Sequence, residues 1–513
     1  MQKGLTIIRE SNLGKGYNNK LPPEHIPEGY MADILNGVIT EDKIEKRTGY
    51  TITGDDTGNK KILGLFGITT SVGTKRLYKF HDNAGGTGIR ILEWTGTGNW
   101  TEIDSGTLLT NVGEPVNCVA AENVVYAYDG LSVPVVITPG SPSTVAAVPD
   151  ANHPKGKFGV WFHNFHFVAG VTSAKSTLSW SELEDSDDFT NTTTGNVKVN
   201  PDDGDEITGL AVLKDELFVF KRNRIWSLTG FGTSGFTLND VNERLTNFGS
   251  LSHRGIINTG NDLNYLSFTG GIPEIRSLTR TRYGTIVEGG IISDPIEGTM
   301  KALSNGLLDE VCGTFDGRRL FMAVPSTGAA TNDTVLVYDT VLKGWVRWTG
   351  LYPSVFTEFD FSNTSEIYFG EARADSKVYK KDTSTSDNGT AISFRVDTRR
   401  YGGERPEVQK KWKYLYATLD AVGDYDLTLQ YSTDGFTFDS FATINMKNPG
   451  AVFDDIVLDT SRLGSSDILK KRLEYAKKTG YFHQLRFIQN GLDEEASLRD
   501  CDVLFKYRGL RDA

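Results

Sequence analysis

One repeating unit dominates the sequence between residues 61 and 383 and constrains the fold more than any other feature. A pair of short apolar runs ends in an aromatic residue, a Gly, Asn or Asp turn follows, and a further pair begins. The unit recurs six or seven times at a spacing of roughly 35 to 55 residues, which is typical of a β-propeller with four short strands per blade. The sequence therefore predicts an all-β chain with a β-propeller of roughly six to eight blades over residues 61–383. A pair of β-sandwiches is the alternative.

The stretch GLAVLKDELFVFKRNRIWSLTG, residues 209–230, is a representative unit. Its apolar residues are expected to pack against the adjacent blades, whereas its basic residues are expected to stay in a solvated turn. The first group is Leu217, Val219, Ile225 and Trp226, and the second is Lys221, Arg222 and Arg224.

The sequences on either side of the repeats have a different character. Residues 1–60 are predicted to form an extended N-terminal arm, because three closely spaced prolines exclude a regular helix there. One short helix is expected within the arm, at residues 31–37. After a linker at 383–390, residues 391–513 alternate as in an antiparallel β-sandwich of about seven or eight strands. Residues 468–478 interrupt this pattern as a short helix or a basic loop.

The charge distribution argues against a protein that wraps nucleic acid. Lys and Arg number 54 against 66 Asp and Glu, for a net charge of −12. Residues 391–513 hold 19 basic and 19 acidic residues, so the excess acid lies in residues 1–390. Binding to phosphates needs clustered cations, but an acidic body is compatible with a channel through which DNA passes without sticking.

Targeting and cysteine signals are sparse. No apolar run is long enough to span a membrane, and the first 19 residues lack a secretory signal.

Cys118, Cys312 and Cys501 are too far apart for a disulfide framework or a metal cluster. Their spacing therefore predicts three buried thiols in a reducing compartment.

The sequence contains no strong motif for a catalytic or metal-binding site. His153, His163 and His166 do not form a regular ligand motif, so aromatic packing is favoured over zinc. The acidic turns at 184–191 and 201–206 do not match a calcium loop, although an opportunistic calcium ion is the alternative to loop solvation. No nucleophile elbow, P-loop, HExxH or paired CxxC occurs. The sequence therefore predicts no catalytic, cofactor or metal residues and no enzyme.

Two alternatives to a purely structural role stay open. Trp412, Tyr475 or the hairpin at 431–438 could stack on a sugar, which would make the chain a carbohydrate-binding adhesin. A propeller glycosidase is the other alternative, although no two carboxylates stand out as its catalytic pair.

Three stretches in a fixed order resemble the β-propeller tail proteins of short-tailed bacteriophages, of the nozzle, hub or head-to-tail stabilisation type. The first, residues 29–50, ends in Arg47-Thr48-Gly49-Tyr50 and is similar to the family's "kRpGy" turn, with Thr48 in place of proline. The second is the blade at 210–230 together with the unit at 248–275. The third, residues 470–513, looks like the family's closing sandwich with its "yk.rG.r" end.

The resemblance implies a structural virion protein of a phage tail, assembled in the host bacterial cytoplasm. It implies a homo-oligomeric ring of about six subunits below the portal or an adaptor ring, with tail fibres as further partners. Such a ring forms a conduit for genome retention and ejection. An acidic lumen would repel the phosphates of the passing DNA, and the arm at 1–60 would reach a neighbouring subunit.

Overall fold

The computed structural model describes residues 5–11, 13–55, 58–230, 235–241, 248–279, 290–435, 437–447, 468–475 and 478–508. Strands make up nearly all of the regular structure, which confirms the predicted all-β class. The helical segments are short: the 3-10 helices Leu13–Lys15, Asp294–Ile296 and Asn305–Glu310, and the α-helix Glu297–Lys301. Within these ranges, no helix combines the length and apolar character that crossing a bilayer requires.

The N-terminal segment contains five short strands. They are β1 (Thr6–Glu10), β2 (Asp33–Leu35), β3 (Gly37–Ile39), β4 (Ile44–Lys46) and β5 (Gly49–Ile52).

Four consecutive antiparallel sheets follow, each with four strands in chain order. Blade 1 consists of β6 (Ile62–Thr69), β7 (Lys75–Asp82), β8 (Ile89–Trp94) and β9 (Thr101–Asp104). Blade 2 consists of β10 (Asn117–Ala121), β11 (Val124–Tyr128), β12 (Val135–Thr138) and β13 (Thr144–Ala147). Blade 3 consists of β14 (Phe158–Phe162), β15 (Phe165–Val171), β16 (Ala174–Trp180) and β17 (Gly195–Lys198). Blade 4 consists of β18 (Ile207–Leu213), β19 (Glu216–Lys221), β20 (Ile225–Gly230) and β21 (Phe236–Asp240).

Three further sheets complete the propeller. Blade 5 has three described strands, β22 (Ile257–Asn258), β23 (Leu263–Thr269) and β24 (Ile272–Ser277). Blade 6 consists of β25 (Cys312–Phe315), β26 (Arg319–Val324), β27 (Thr334–Asp339) and β28 (Gly344–Thr349). Blade 7 consists of β29 (Pro353–Phe359), β30 (Glu366–Glu371), β31 (Val378–Ser384) and, as its outermost strand, β5 from the N-terminal segment.

The seven blades close into a ring. The innermost strands β6, β10, β14, β18, β22, β25 and β29 each contact the next, and β29 contacts β6. A propeller of seven blades lies within the predicted range. Because each blade stacks on two neighbours, its strands are apolar on both faces and the core lies between the blades.

Blade 4 shows this two-sided packing. Leu217, Val219 and Trp226 belong to a buried cluster shared with blade 3, whereas Phe218, Phe220 and Ile225 belong to a cluster shared with blade 5. The predicted packing of the apolar residues of blade 4 against both neighbours is confirmed.

The prediction of a solvated Lys221 is wrong. Arg222 is exposed and Arg224 partly so, but Lys221 is fully buried and its Nζ lies 2.8 Å from Asp203 Oδ1. Nζ also donates to the carbonyl of Asn200 at 3.0 Å. The acidic turn at 201–206, which connects blade 3 to blade 4, covers this lysine, and the pattern of the blade itself does not reveal this contact.

Trp226→Ala is expected to lower the free energy of unfolding by at least about 3 kcal/mol, because the indole is 5 % exposed and its loss leaves a cavity between blades 3 and 4. Denaturant titration of both proteins measures this loss. Arg222→Ala, at the exposed turn, is the control and should unfold like the parent. A Trp226→Ala protein as stable as the parent would contradict the blade assignment.

Eight strands follow the propeller. They are β32 (Phe394–Asp397), β33 (Lys410–Asp420), β34 (Asp426–Thr433), β35 (Asp439–Asn445), β36 (Ile468–Glu474), β37 (Thr479–Gly480), β38 (His483–Gln489) and β39 (Ser497–Tyr507). The strand expected at 453–459 lies outside the described residues.

These strands form two sheets of a sandwich, and the N-terminal segment takes part in both. In one sheet β39 pairs with β33, β4 and β1, and β33 pairs with β36 and β37. In the other, the order is β2-β32-β38-β34-β35. Strand β2 also pairs in parallel with β28, so blade 6 and this sheet form one continuous nine-stranded sheet.

The N-terminal prediction needs correction. Its described residues are extended, as predicted, but they do not stand apart as an arm, because strands β1, β2, β4 and β5 pair with strands of the propeller and the sandwich in the same chain. The helix expected at 31–37 is instead β2 and the start of β3, and the helix or loop expected at 468–478 contains β36. Pairing with distant strands decides both conformations, which local propensity does not anticipate.

Candidate functional site

A polar cavity lies on the propeller axis. Its volume is about 310 Å³, and its lining includes residues at or just before the first strands of six blades. It therefore sits at the end of the axis where the inner strands begin. We call it the axial pocket. The lining includes Lys61, Asn117, Asp129, Lys157, Lys175, Glu206, Arg222, His253, Arg254 and Glu310.

Arg254 ties four blades together beside this pocket. Its Nη2 donates to the carbonyls of Val116, at 2.8 Å, and Leu63. Its Nε donates to Asn117 Oδ1 at 3.1 Å, and Nη1 donates to the carbonyl of Ser354 at 3.3 Å. A side chain that precedes β22 of blade 5 thus bonds to blades 1, 2 and 7, and it obstructs the axis of the propeller.

Three of the five carboxylates that line the axial pocket have partners within the protein, namely Asp129, Glu206 and Glu310. Lys61 Nζ lies 2.5 Å from Glu310 Oε2, and Lys175 Nζ lies 3.0 Å from Glu206 Oε2. Asp129 accepts hydrogen bonds from several groups of its own turn. Burial alone would raise the pKa of its carboxyl, but these hydrogen bonds outweigh burial and lower the pKa. A glycosidase needs a carboxyl with a raised pKa next to a second carboxylate, and Asp129 has the opposite shift.

The three histidines considered as zinc ligands do not form one cluster. His163 lies in a turn with a φ of +50°, away from His153 and His166, whose ring centroids are 5.6 Å apart. Burial lowers the pKa of His153 to about 4 and that of His166 to about 3. His166 Nε2 lies 2.9 Å from the hydroxyl of Tyr128. Among the described residues, no three His, Cys, Asp or Glu side chains could hold a metal ion.

The acidic turn at 201–206 has a structural role, and the turn at 184–191 holds two neighbouring carboxyls. In the turn at 201–206, Asp203 binds Lys221, and Asp205 Oδ2 accepts the backbone N–H of Asn223 at 3.0 Å. In the turn at 184–191, burial and a hydrogen bond with Asp185 raise the pKa of Asp187 to about 6.

The free thiols differ in exposure. Cys312 and Cys501 are buried as predicted, whereas Cys118 is partly exposed. Burial raises the pKa of Cys312 to about 12, so this thiol is protonated at neutral pH.

The aromatic residues proposed for sugar stacking are in the sandwich core. Trp412 is 0 % exposed and Tyr475 is 3 % exposed, and both rings contact His483. The core position that is more common for such residues is therefore confirmed for Trp412, and it leaves no sugar platform there, because β33 directs the indole between the two sheets. In the hairpin at 431–438, Phe436 lies outside the described residues.

A second polar centre joins the propeller to the sandwich. Arg47 and Asp387 form a bidentate pair with N–O distances of 2.7 and 2.6 Å, and their side chains are 1 % and 6 % exposed. Arg47 also donates to Asn36 Oδ1 at 3.0 Å and to the carbonyl of Thr349 at 2.8 Å. The N-terminal segment, blade 6 and the linker at 383–390 therefore meet at one guanidinium.

Sequence reasoning missed the axial role of Arg254. Its local sequence, SHRG, carries no motif, and only its position before the first strand of a blade could have placed it near the axis.

No protein-family model matches the sequence, and no curated protein is significantly similar to it. Several solved structures resemble the fold weakly. YCF48 bound to a D1 peptide is 10 % identical, with a TM-score of 0.36 over 65 % of this chain and 98 % of that one. An exo-beta-1,3-galactanase from Phanerochaete chrysosporium is 10 % identical, with a TM-score of 0.24 over 90 % and 100 %. AztD from Citrobacter koseri is 8 % identical, with a TM-score of 0.32 over 80 % and 90 %. At these values the likeness carries no information on ligands or activity.

Proposed function

We propose that this chain is a structural protein of a bacteriophage tail, of the nozzle or hub type. Copies of it would form a ring of about six subunits below the portal or an adaptor ring, with tail fibre proteins as further partners. The ring would be part of the conduit for genome retention and ejection.

The observation that carries this proposal is the nine-stranded sheet that runs from blade 6 through β2 into the sandwich. Domains joined only by a linker are expected to move relative to one another. Here a shared sheet, in which Leu35 of β2 pairs with Arg347 of β28, and the buried Arg47–Asp387 pair join the two domains directly. A direct connection of this kind suits a subunit that must keep its shape under the pressure of a packaged genome.

The residues of the phage-like turn support the same interpretation. Arg47 binds Asp387, and Gly49 approaches the linker so closely that a Cβ there would lie 2.0 Å from the Ser386 carbonyl oxygen. The hydroxyl of Tyr50 donates to the carbonyl of Gly350 at 2.9 Å. One of the three stretches that carry the resemblance thus lies where the chain joins its two domains.

The conduit would be the lumen of the ring and not the axis of a single propeller, which Arg254 obstructs. The excess acid of residues 1–390 would keep DNA from sticking to the lumen, because like charges repel.

Particles purified from a culture that carries the gene test the proposal. Quantitative mass spectrometry should find the chain in a fixed ratio to the portal protein, and antibody labelling should decorate the tail. Absence of the chain from purified particles would contradict the proposal. Release of sugar from polysaccharides or binding to a glycan array, together with that absence, would favour the glycosidase or the adhesin.

A further inference from the structure

The lining of the axial pocket holds five cations and five carboxylates, and three of the cations make no ion pair with any described residue. Lys61 and Lys175 have carboxylate partners. No ion pair joins Lys157, Arg222 or Arg254 to any carboxylate of the described residues. The pocket carboxylates outside these pairs are Asp129, whose turn hydrogen bonds occupy it, and the exposed Glu114 and Asp309.

Arg254 is held so that part of its guanidinium is available. Nε and Nη2 are occupied by Asn117 and by two backbone carbonyls. Nη1 makes one long hydrogen bond, at 3.3 Å, which leaves its second N–H without a partner among the described residues. Carbonyl oxygens accept hydrogen bonds but supply no counter-charge, so an anion beside Arg254 would gain a charge-assisted contact.

Lys157 is held in place by its surroundings. Its aliphatic stem fills the space beside Gly130, where a Cβ would lie 2.6 Å from Lys157 Cγ, and beside Gly170, where a Cβ would lie 3.0 Å from its Cβ. Both glycines have a φ near +80°, which disfavours other residues. Asn117 donates to the carbonyl of Lys157 at 2.9 Å while accepting from Arg254. One amide thus contacts the guanidinium of Arg254 and the backbone of the exposed Lys157, and such preorganisation strengthens binding.

The size of the pocket sets the class of ligand. Small-molecule sites occupy about 300 to 1,000 Å³, and the axial pocket is at the lower end. Its polar lining suits a hydroxylated guest better than an apolar one.

We propose that the axial pocket binds an anion of monosaccharide size that carries a carboxylate or a phosphate group. Arg254, Lys157 and Arg222 contact the anionic group. This site is independent of the tail assignment.

Calorimetric titration at constant ionic strength tests this site with sodium D-glucuronate and inorganic phosphate, and with D-glucose as the neutral control. The variant pair Lys157→Gln and Arg222→Gln removes two pocket cations and leaves Arg254, which ties the blades together, in place. The control pair Lys198→Gln and Lys214→Gln removes two exposed cations elsewhere on the propeller.

We expect at least one of the two anions to bind with a dissociation constant in the millimolar range or below. D-Glucose should not bind. The pocket pair should weaken binding at least about tenfold without changing the melting temperature, and the control pair should bind like the parent. Preference for glucuronate or for phosphate identifies the anionic group. The proposal fails if neither anion binds, if the pocket pair binds like the parent, or if the control pair loses binding equally.

Discussion

Acidification from pH 6.5 towards pH 4 is expected to destabilise the folded chain steeply, because three buried histidines resist protonation. Burial lowers the pKa of His153 to about 4 and that of His166 and His483 to about 3. All three side chains are at most 4 % exposed.

The direction follows from the number of protons that each state binds. Below pH 6.5 the unfolded chain protonates these histidines, whereas the folded chain keeps them neutral until the pH approaches 4 or 3. The unfolded state therefore binds more protons, and the free energy of unfolding falls as the pH falls. The contribution of these histidines to the free energy of unfolding is fully present above pH 6.5. As the pH falls below that value, each histidine lowers the free energy of unfolding by up to about 1.4 kcal/mol per pH unit.

Urea titrations between pH 7.5 and pH 5 measure this slope. Glutamine in His483→Gln cannot take up a proton, so the free energy of unfolding should fall less steeply with pH, by the contribution of one histidine. His25→Gln, at an exposed position, is the control. Carboxyls also titrate towards the acid end, so the difference between the two variants isolates the effect of His483. Equal slopes for His483→Gln and the parent would contradict the assignment of a buried, neutral imidazole.

Arg47→Ala is expected to lower the free energy of unfolding by about 3 to 5 kcal/mol, because it leaves Asp387 as a buried carboxylate without its cation. Burial already raises the pKa of Asp387, and the Arg47 guanidinium opposes that rise. Since the pair joins the propeller to the sandwich, its loss should also separate one unfolding transition into two.

Calorimetry of Arg47→Ala, with the exposed Lys447→Ala as control, measures both effects. Lys447 forms an ion pair with Asp424 in which both side chains are 66 % exposed, so its removal should leave the melting profile unchanged. The double variant Arg47→Met with Asp387→Leu should recover part of the loss, because it removes both buried charges. If Arg47→Ala still unfolded in a single transition, as expected for the parent, the junction would not depend on this pair.

The propeller could be predicted because its blades are local. Each is a run of consecutive hairpins, so apolar runs and turns carry the pattern, as in residues 209–230. The count of blades is harder to read from the sequence, since blade 7 takes its outer strand from β5, more than 300 residues away.

The junction and the axial pocket could not be read from the sequence. Arg47 and Asp387 are 340 residues apart, and nothing near either residue indicates a buried pair. Lys221 was misplaced for a related reason, because the turn that covers it lies outside the hairpin, 18 residues earlier in the chain. Tertiary contacts, and not local propensity, determine the environment of each of these charges.

Cryo-electron microscopy of intact particles that carry this gene product is the decisive experiment for the tail assignment. We expect a symmetric ring of this chain on the tail axis, continuous with the portal channel, in which propeller and sandwich keep one fixed orientation. A chain that lies off the axis as a peripheral knob, or that is missing from the particle, would contradict it.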